Sequence, residues 1–234
     1  MVCVTILKTG TTVPSLIPRR GDFDDWFRGG LGLSEAESPV VDATTEALPD
    51  PETVTAVVVT GAAAMVTENL SWSLDCERWL RALLDRDIPV LGVCYGHQLL
   101  ARALGGEVGF NPNGDQVGTT PVTLNLEGQG DALFRDLPTE LIVQNSHRQS
   151  VLTLPPDARL LAGNGHDPHQ AFAVGTRTWG VQFHPEFDAD IVRSYLEDRS
   201  EGLEERGVDT ASLRAAARDS DHGTRILANF VATI

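Results

Sequence analysis

The chain of 234 residues lacks several features that would place it at once in a broad class of proteins. It has no run of about 18 or more apolar residues, so we expect no membrane-spanning helix. Its first residues have neither a basic region nor a long apolar stretch, and they predict a first strand rather than a signal peptide. No Gly-x-x-x-x-Gly-Lys-Ser/Thr loop for nucleotide phosphates occurs either.

Cysteine is scarce, and positive charge is outweighed by negative charge. Cys3, Cys76 and Cys94 form an odd, scattered set that makes a poor disulfide framework, which predicts a reducing, cytoplasmic location and leaves room for one reactive thiol. Acidic residues outnumber basic ones by 33 to 18, for a formal net charge of −15. A surface this negative disfavours nucleic acid and anionic membranes as partners, but it says little about a small-molecule substrate, which responds to the local pocket.

The pattern of apolar segments predicts an α/β fold with an open, mostly parallel sheet flanked by helices. The first half predicts strands at 2–7, 54–59 and 89–93, and helices at 22–28, 73–87 and 96–104. The second half predicts additional, partly antiparallel strands and closing helices; the strands are 117–126, 141–146, 159–162, 171–174 and 178–183, and the helices are 191–198, 211–220 and 224–232. The charged residues 198–206 predict a solvated helix face or a loop. No linker is evident, so we expect residues 1–234 to form a single domain.

The sharpest local motif surrounds Cys94. A buried apolar strand leads directly into this cysteine, a helix follows it, and Gly92 and Gly96 lie two residues to either side. This Gly-x-nucleophile-x-Gly pattern is typical of a strained turn that lifts a nucleophile off the end of a sheet. The helix N-terminus favours the thiolate form of such a cysteine. Cys94 is therefore predicted to be a nucleophile, whereas Cys3 and Cys76 lack this setting.

A thiol nucleophile needs a base and a group that orients the base. His184 follows a predicted strand at the edge where an open α/β sheet places its site, and Glu186 comes two residues later, after Pro185. The carboxylate can accept a hydrogen bond from one imidazole nitrogen while the other nitrogen faces Cys94. The sequence thus predicts a triad of Cys94, His184 and Glu186.

At these residues the chain resembles the triad-type, class I glutamine amidotransferases. The segments 92–98 (Gly-Val-Cys-Tyr-Gly-His-Gln) and 182–187 (Gln-Phe-His-Pro-Glu-Phe) are the family's two signatures, in the expected order. The chain is most similar to free-standing GMP-synthase-like amidotransferases, a group that includes γ-glutamyl peptidases. The resemblance implies a flavodoxin-like amidotransferase fold, no cofactor, and hydrolysis of a glutamine side-chain amide through a γ-glutamyl thioester on Cys94.

The resemblance also implies further site residues. Backbone N–H groups of Tyr95 and of Gly61 or Ala62 would form the oxyanion hole. Substrate-binding candidates are Gln98, Ser146 and His147. Two departures from the family pattern concern the loop 61–65, which is richer in alanine than usual, and Arg148-Gln149, which stands where many relatives have Gly-Asp.

Alternatives remain open at this point. The ammonia could pass to a separate synthetase subunit, or the chain could hydrolyse its substrate outright, as a γ-glutamyl peptidase acting on glutathione-like substrates does. A catalytically inactive regulatory subunit is a further alternative, which an intact triad argues against. A metal site at His166 and His169 would need the helix and carboxylate that such sites use, and this loop lacks both, so no metal is predicted.

Overall fold

A large mixed sheet organises residues 2–234, the part of the chain that this computed structural model describes. Its strands lie in the order β2 (Val40–Asp42), β1 (Thr5–Lys8), β3 (Val57–Val59), β4 (Val90–Val93), β11 (Thr178–Val181), β10 (Ala171–Val174), β9 (Ala158–Gly163), β6 (Gln116–Leu124) and β7 (Glu140–His147). The strands from β2 to β11 in this order are parallel to their neighbours, and the remaining pairings are antiparallel. Strands β5 (Glu107–Phe110) and β8 (Gln149–Thr153) form a separate antiparallel pair.

Helices cover both faces of the sheet. They are α1 (Ile17–Arg20), α2 (Phe23–Leu31), α3 (Ser71–Leu84), α4 (Tyr95–Ala103), α5 (Leu126–Gly130), α6 (Ala189–Asp198), α7 (Ser200–Glu205), α8 (Thr210–Ala216) and α9 (His222–Val231). Because side chains alternate along a strand, Ile6 joins the core beneath α2, α6 and α9, whereas Leu7 joins the core beneath α3 and α4. Within residues 2–234, every helix is too short or too polar to span a bilayer.

Both ends of helix α2 are defined by local features, a capping box at the N-terminus and a glycine at the C-terminus. The Asp22 side chain accepts a hydrogen bond from the Phe23 N–H at 2.8 Å, and Asp25 accepts one from the Asp22 N–H at 3.0 Å, which completes a capping box. Gly32 ends the helix with φ of 67°. The helix therefore begins at a fixed residue and places Phe23 at the carboxyl edge of the sheet.

The predicted fold class is confirmed. The structure differs from the sequence prediction mainly at short elements: β2, β5 and β8 and helices α1, α5 and α7 were not assigned. Strands β2 and β5 have three and four residues and no fully buried positions, so neither shows a clear alternation. The charged stretch forms helix α7 with Leu203 only 2% exposed, so it packs against the body as well as facing solvent.

Candidate active site

Cys94 lies on a sharp turn between β4 and α4. Its backbone has φ of 52° and ψ of −100°, a strained conformation for a residue with a side chain. A Cβ atom on Gly92 would lie 2.5 Å from the Gly96 carbonyl oxygen, and one on Gly96 would lie 2.5 Å from the Val59 carbonyl oxygen. The two glycines thus permit the close backbone contacts of the turn, which projects Cys94 beyond the sheet edge.

His184 and Glu186 follow β11, the strand adjacent to β4. The His184 N–H donates to the Gln144 carbonyl oxygen at 2.8 Å, which fixes the backbone. The His184 Nδ1 donates to Glu186 Oε1 at 2.7 Å, and the two side chains are only 3% and 0% exposed. This bond leaves Nε2 as the ring nitrogen available to Cys94. Three adjacent parallel strands, β3, β4 and β11, therefore bring together the loop after β3 and all three predicted triad residues.

The protonation state of His184 is set by opposing effects. Complete burial lowers the pKa of the imidazole because it penalises the charged form. The charges of Glu186 and Cys94, together with hydrogen bonds to both, outweigh this penalty and raise the pKa of His184 to about 10. The imidazole therefore favours its protonated form at neutral pH.

An aromatic cluster holds the imidazole in place. Phe187 stacks on His184 with ring centroids 3.9 Å apart and planes 14° apart. Phe23 lies on the ring at 6.2 Å, and Trp26 and Tyr195 pack against Phe187 at 5.5 and 5.0 Å. Sequence reasoning gave these aromatic residues no role in the site. Phe187 lies in the 182–187 signature, whereas Phe23 and Trp26 lie on α2 in a distant part of the chain.

The loop after β3 faces the triad. The Gly61 carbonyl oxygen accepts hydrogen bonds from the hydroxyls of Thr9 at 3.1 Å and Thr60 at 3.0 Å, which anchor the loop to β1. A Cβ atom on Gly61 would lie 2.9 Å from the imidazole Cε1 of His184. Ala62 lines the pocket beside Cys94, and its N–H has no acceptor among residues 2–234. The N–H of Tyr95, the first residue of α4, also lacks a helical acceptor.

The other predicted binding residues lie in the same pocket wall. The Gln98 side-chain nitrogen donates to the Gln149 carbonyl oxygen at 2.6 Å and to Gln182 Oε1 at 3.0 Å, so this nitrogen is engaged within the protein. The sulfur of Cys94 lies 3.9 Å from the Ser146 carbonyl oxygen. The pocket therefore places Gln98 and Ser146, two predicted substrate-binding residues, beside Cys94.

His147 also borders the pocket, but both ring nitrogens have partners in the protein. Its Nδ1 lies 3.0 Å from the Gln149 carbonyl oxygen, and its Nε2 lies 3.2 Å from Gln116 Oε1. Burial lowers the pKa of His147 to about 4, against a smaller opposing effect of Asp167, so the ring is neutral at physiological pH. Any contact of this residue with substrate would therefore use its backbone.

Charged residues that sequence reasoning left out complete the pocket wall. Asp115, Arg199 and Arg206 line it together with Arg148. Arg199 and Arg206 flank helix α7, within the stretch predicted to be merely a solvated face or loop; that prediction was incomplete, because two of its arginines border the pocket. Composition alone gave no signal for this, since the stretch carries charges of both signs.

The two histidines considered for a metal lie in the loop between β9 and β10. His166 Nε2 is 3.0 Å from the Gly114 carbonyl oxygen, and His169 Nδ1 is 2.7 Å from the Val151 carbonyl oxygen. In the described chain from residue 2 onward, no group of three or more His, Cys, Asp or Glu side chains is arranged to hold a metal ion.

Comparison with known proteins gives consistent matches. The family model "Glutamine amidotransferase class-I" matches residues 30–199. GMP synthase of Aeropyrum pernix is 38% identical over 146 residues, covering 62% of this chain and 26% of that protein. A protein of Pyrococcus furiosus that is named as one subunit of glutamine-hydrolysing GMP synthase is 36% identical over 127 residues, covering 52% of this chain and 65% of that protein. This chain thus matches about a quarter of the first relative and under two thirds of the second.

Solved structures show the same fold. A glutamine amidotransferase of Thermotoga maritima has a TM-score of 0.75 at 23% identity, covering 99% of this chain and 97% of that one. A glutamine amido transferase of Methylobacillus flagellatus has a TM-score of 0.73 at 20% identity, covering 99% and 93%. Identities this low carry the fold alone.

Proposed function

Because the chain belongs to the class-I glutamine amidotransferase family, we propose that it hydrolyses the side-chain amide of glutamine or of another γ-glutamyl amide. The nucleophile is Cys94, the general acid–base is His184, and Glu186 orients the imidazole. The observation that carries this assignment is the convergence of these groups at one edge of the sheet: Glu186 bonds one imidazole nitrogen at 2.7 Å, and Cys94 lies on a strained turn at the end of the adjacent strand β4.

The chemistry follows from this arrangement. The Cys94 sulfur attacks the amide carbon, the carbon–nitrogen bond breaks, and His184 gives its proton to the departing ammonia. Water, deprotonated by His184, then attacks the γ-glutamyl thioester and releases glutamate and the thiol. The Glu186 carboxylate stabilises the imidazolium form, as the orienting carboxylate of such triads does.

Negative charge that develops on the carbonyl oxygen needs preorganised donors. We assign this role to the N–H groups of Tyr95 and Ala62, which border the pocket beside Cys94. Gly61 was the other candidate, and it supports the role differently: its carbonyl is bound by Thr9 and Thr60, which fixes the direction of the next peptide unit. Gln98 and Ser146 would then contact the substrate body.

The test is release of ammonia and glutamate by the purified chain supplied with glutamine, with glutathione as a comparison substrate. Cys94→Ser and Cys94→Ala should abolish turnover, whereas the matched variant Cys3→Ser should retain it, since Cys3 is half-buried outside the site. Thermal melts of all variants check that the fold persists. Full activity in a Cys94 variant would refute the mechanism, and preferred turnover of glutathione would favour a γ-glutamyl peptidase.

We further propose that residues 1–234 act as one amidotransferase domain and that a separate synthetase subunit can receive the ammonia. The sheet that carries the site incorporates strands from Thr5 to Val181, which supports a single domain. The match to a protein named as one subunit of an enzyme supports the partner. If the chain alone is inactive but a glutamine-like electrophile still labels Cys94, the site is competent and requires that partner; an inactive chain that resists labelling would instead support a regulatory role.

A further inference from the structure

Three arginines border the pocket of a chain whose net charge is −15. Arg148, Arg199 and Arg206 line it, and Asp115 is the single carboxylate among the lining residues. We call Arg148, Arg199 and Arg206 the arginine rim. Positive charge concentrated at one place in so acidic a protein indicates a ligand with negative charge.

The pairing within the rim is incomplete. Asp115 accepts from Arg206 at 2.8 Å and lies 3.5 Å from Arg148, so it compensates for one of the three positive charges. Arg199 lies over the Tyr195 ring at 4.7 Å, and among residues 2–234 its guanidinium has neither a carboxylate nor a hydrogen-bond acceptor. A half-buried arginine with free donors can bind a carboxylate in two-pronged geometry.

The rim faces the acyl side of the substrate rather than the leaving amine. The leaving nitrogen must lie near His184, which protonates it, yet His184 does not line this pocket. Cys94 and the proposed oxyanion donors Ala62 and Tyr95 do line it. When the amide carbonyl of a substrate lies at Cys94, its acyl chain and its α-carbon therefore extend towards the arginines.

The α end of free glutamine complements this wall poorly. It carries a carboxylate and an ammonium, so its net charge is zero, and the rim would repel the ammonium. Gln149 offers a different acceptor: its side-chain nitrogen donates to the Thr67 hydroxyl at 2.6 Å, while its buried Oε1 has no partner among the described residues. A neutral amide oxygen can accept a hydrogen bond from an uncharged N–H group.

We propose that the preferred substrate is a γ-carboxamide whose α-nitrogen is acylated, as in N-acylglutamine, with its carboxylate held by Arg199 and Arg148 and its N–H accepted by Gln149. This inference rests on the proposed function for the position of the scissile amide. The property that distinguishes this substrate from glutamine is a carboxylate without a neighbouring ammonium.

Binding to a Cys94→Ala chain tests the proposal without requiring turnover. Isothermal titration with N-acetyl-L-glutamine and with L-glutamine should give a Kd at least tenfold lower for the acylated compound. Adding Arg199→Ala should raise that Kd at least tenfold, because a charge-assisted hydrogen bond contributes strongly in a pocket. Arg199→Lys, which keeps the charge, should raise it less. The control Arg78→Ala removes an equal charge from the exposed face of α3 and should leave the Kd unchanged.

Tighter binding of glutamine, or an Arg199→Ala variant that melts normally and binds N-acetyl-L-glutamine as before, would overturn the inference. So would tighter, Arg199-dependent binding of γ-glutamylglycine, since that would place the leaving group's carboxylate on the rim. Ammonia release by the unmodified chain is measured in parallel. If binding follows the proposal but neither compound is hydrolysed and a glutamine-like electrophile does not label Cys94, the proposed function fails while the binding inference stands.

Discussion

Gly61→Ala is a substitution whose effect can be worked out from the position of one added atom. The new Cβ would lie 2.9 Å from Cε1 of His184, whereas carbon atoms rest at about 3.5 Å or more, so a shift of at least about 0.6 Å is required. The loop resists because Thr9 and Thr60 hold the Gly61 carbonyl. The imidazole resists because Phe187 stacks on it at 3.9 Å. The added atom should therefore disturb the alignment of His184 with Cys94.

Misplacing a catalytic group by about 1 Å costs about a hundredfold in rate, so the smaller shift predicts a loss in kcat of about tenfold or more. Overpacking should also lower the free energy of unfolding by about 1 to 3 kcal/mol. The assay measures kcat for ammonia release, or the rate of Cys94 labelling by a glutamine-like electrophile, together with thermal melts. The control is Gly29→Ala in α2, whose Cβ would meet nothing within 4 Å. A Gly61→Ala chain with kcat within twofold of the unmodified chain would refute the reasoning.

Three further predictions concern the imidazole. Glu186→Gln removes the carboxylate that raises the His184 pKa. NMR of the ring nitrogens should therefore show His184 protonated at pH 8 in the unmodified chain, and titrating at a lower pH in the variant. Identical titration curves in the two chains would contradict this prediction. Phe187→Leu should lower kcat about tenfold because the His184 imidazole loses its stacking partner. The control Phe230→Leu, a buried change on α9, should lower the free energy of unfolding by a similar amount, about 1 kcal/mol, and leave kcat unaltered. Because the folded pKa of His184 is raised to about 10 from 6.5, its stabilising effect is complete below about pH 6.5 and is lost as pH rises towards 10. Thermal stability should therefore fall more between pH 7 and 9 in the unmodified chain than in His184→Gln, and parallel curves would count against the shifted pKa.

The nucleophile turn was predictable from sequence because its causes are local. Gly92 and Gly96 are needed by contacts within a few residues of Cys94 or with the neighbouring strand β3. The buried strand before the cysteine and the helix after it are both visible as apolar patterns. His184 and Glu186 were likewise predictable as a pair, because two residues of separation bring the carboxylate to the ring.

The rest of the site depends on contacts between distant segments. Arg199 reaches the pocket only because α6 packs on the same face of the sheet as α2 and turns its end towards Cys94. Asp115 and Arg206 meet across 91 positions of the chain. No local pattern distinguishes these residues from solvated charges, so a charged stretch with acidic and basic residues interspersed predicts only a surface.

Protonation states show most clearly what local sequence patterns cannot predict. His97, His147 and His184 are all completely buried, and burial lowers the pKa of each ring. For His97 and His147 burial prevails over the opposing charge of Asp167, and their pKa values fall to about 3 and about 4. For His184 the Glu186 carboxylate at 2.7 Å and the thiol of Cys94 prevail instead, and the pKa rises to about 10. One residue type in one buried environment thus becomes either a neutral structural ring or a proton carrier, and the deciding factor is a hydrogen-bonded carboxylate whose distance only the folded chain sets.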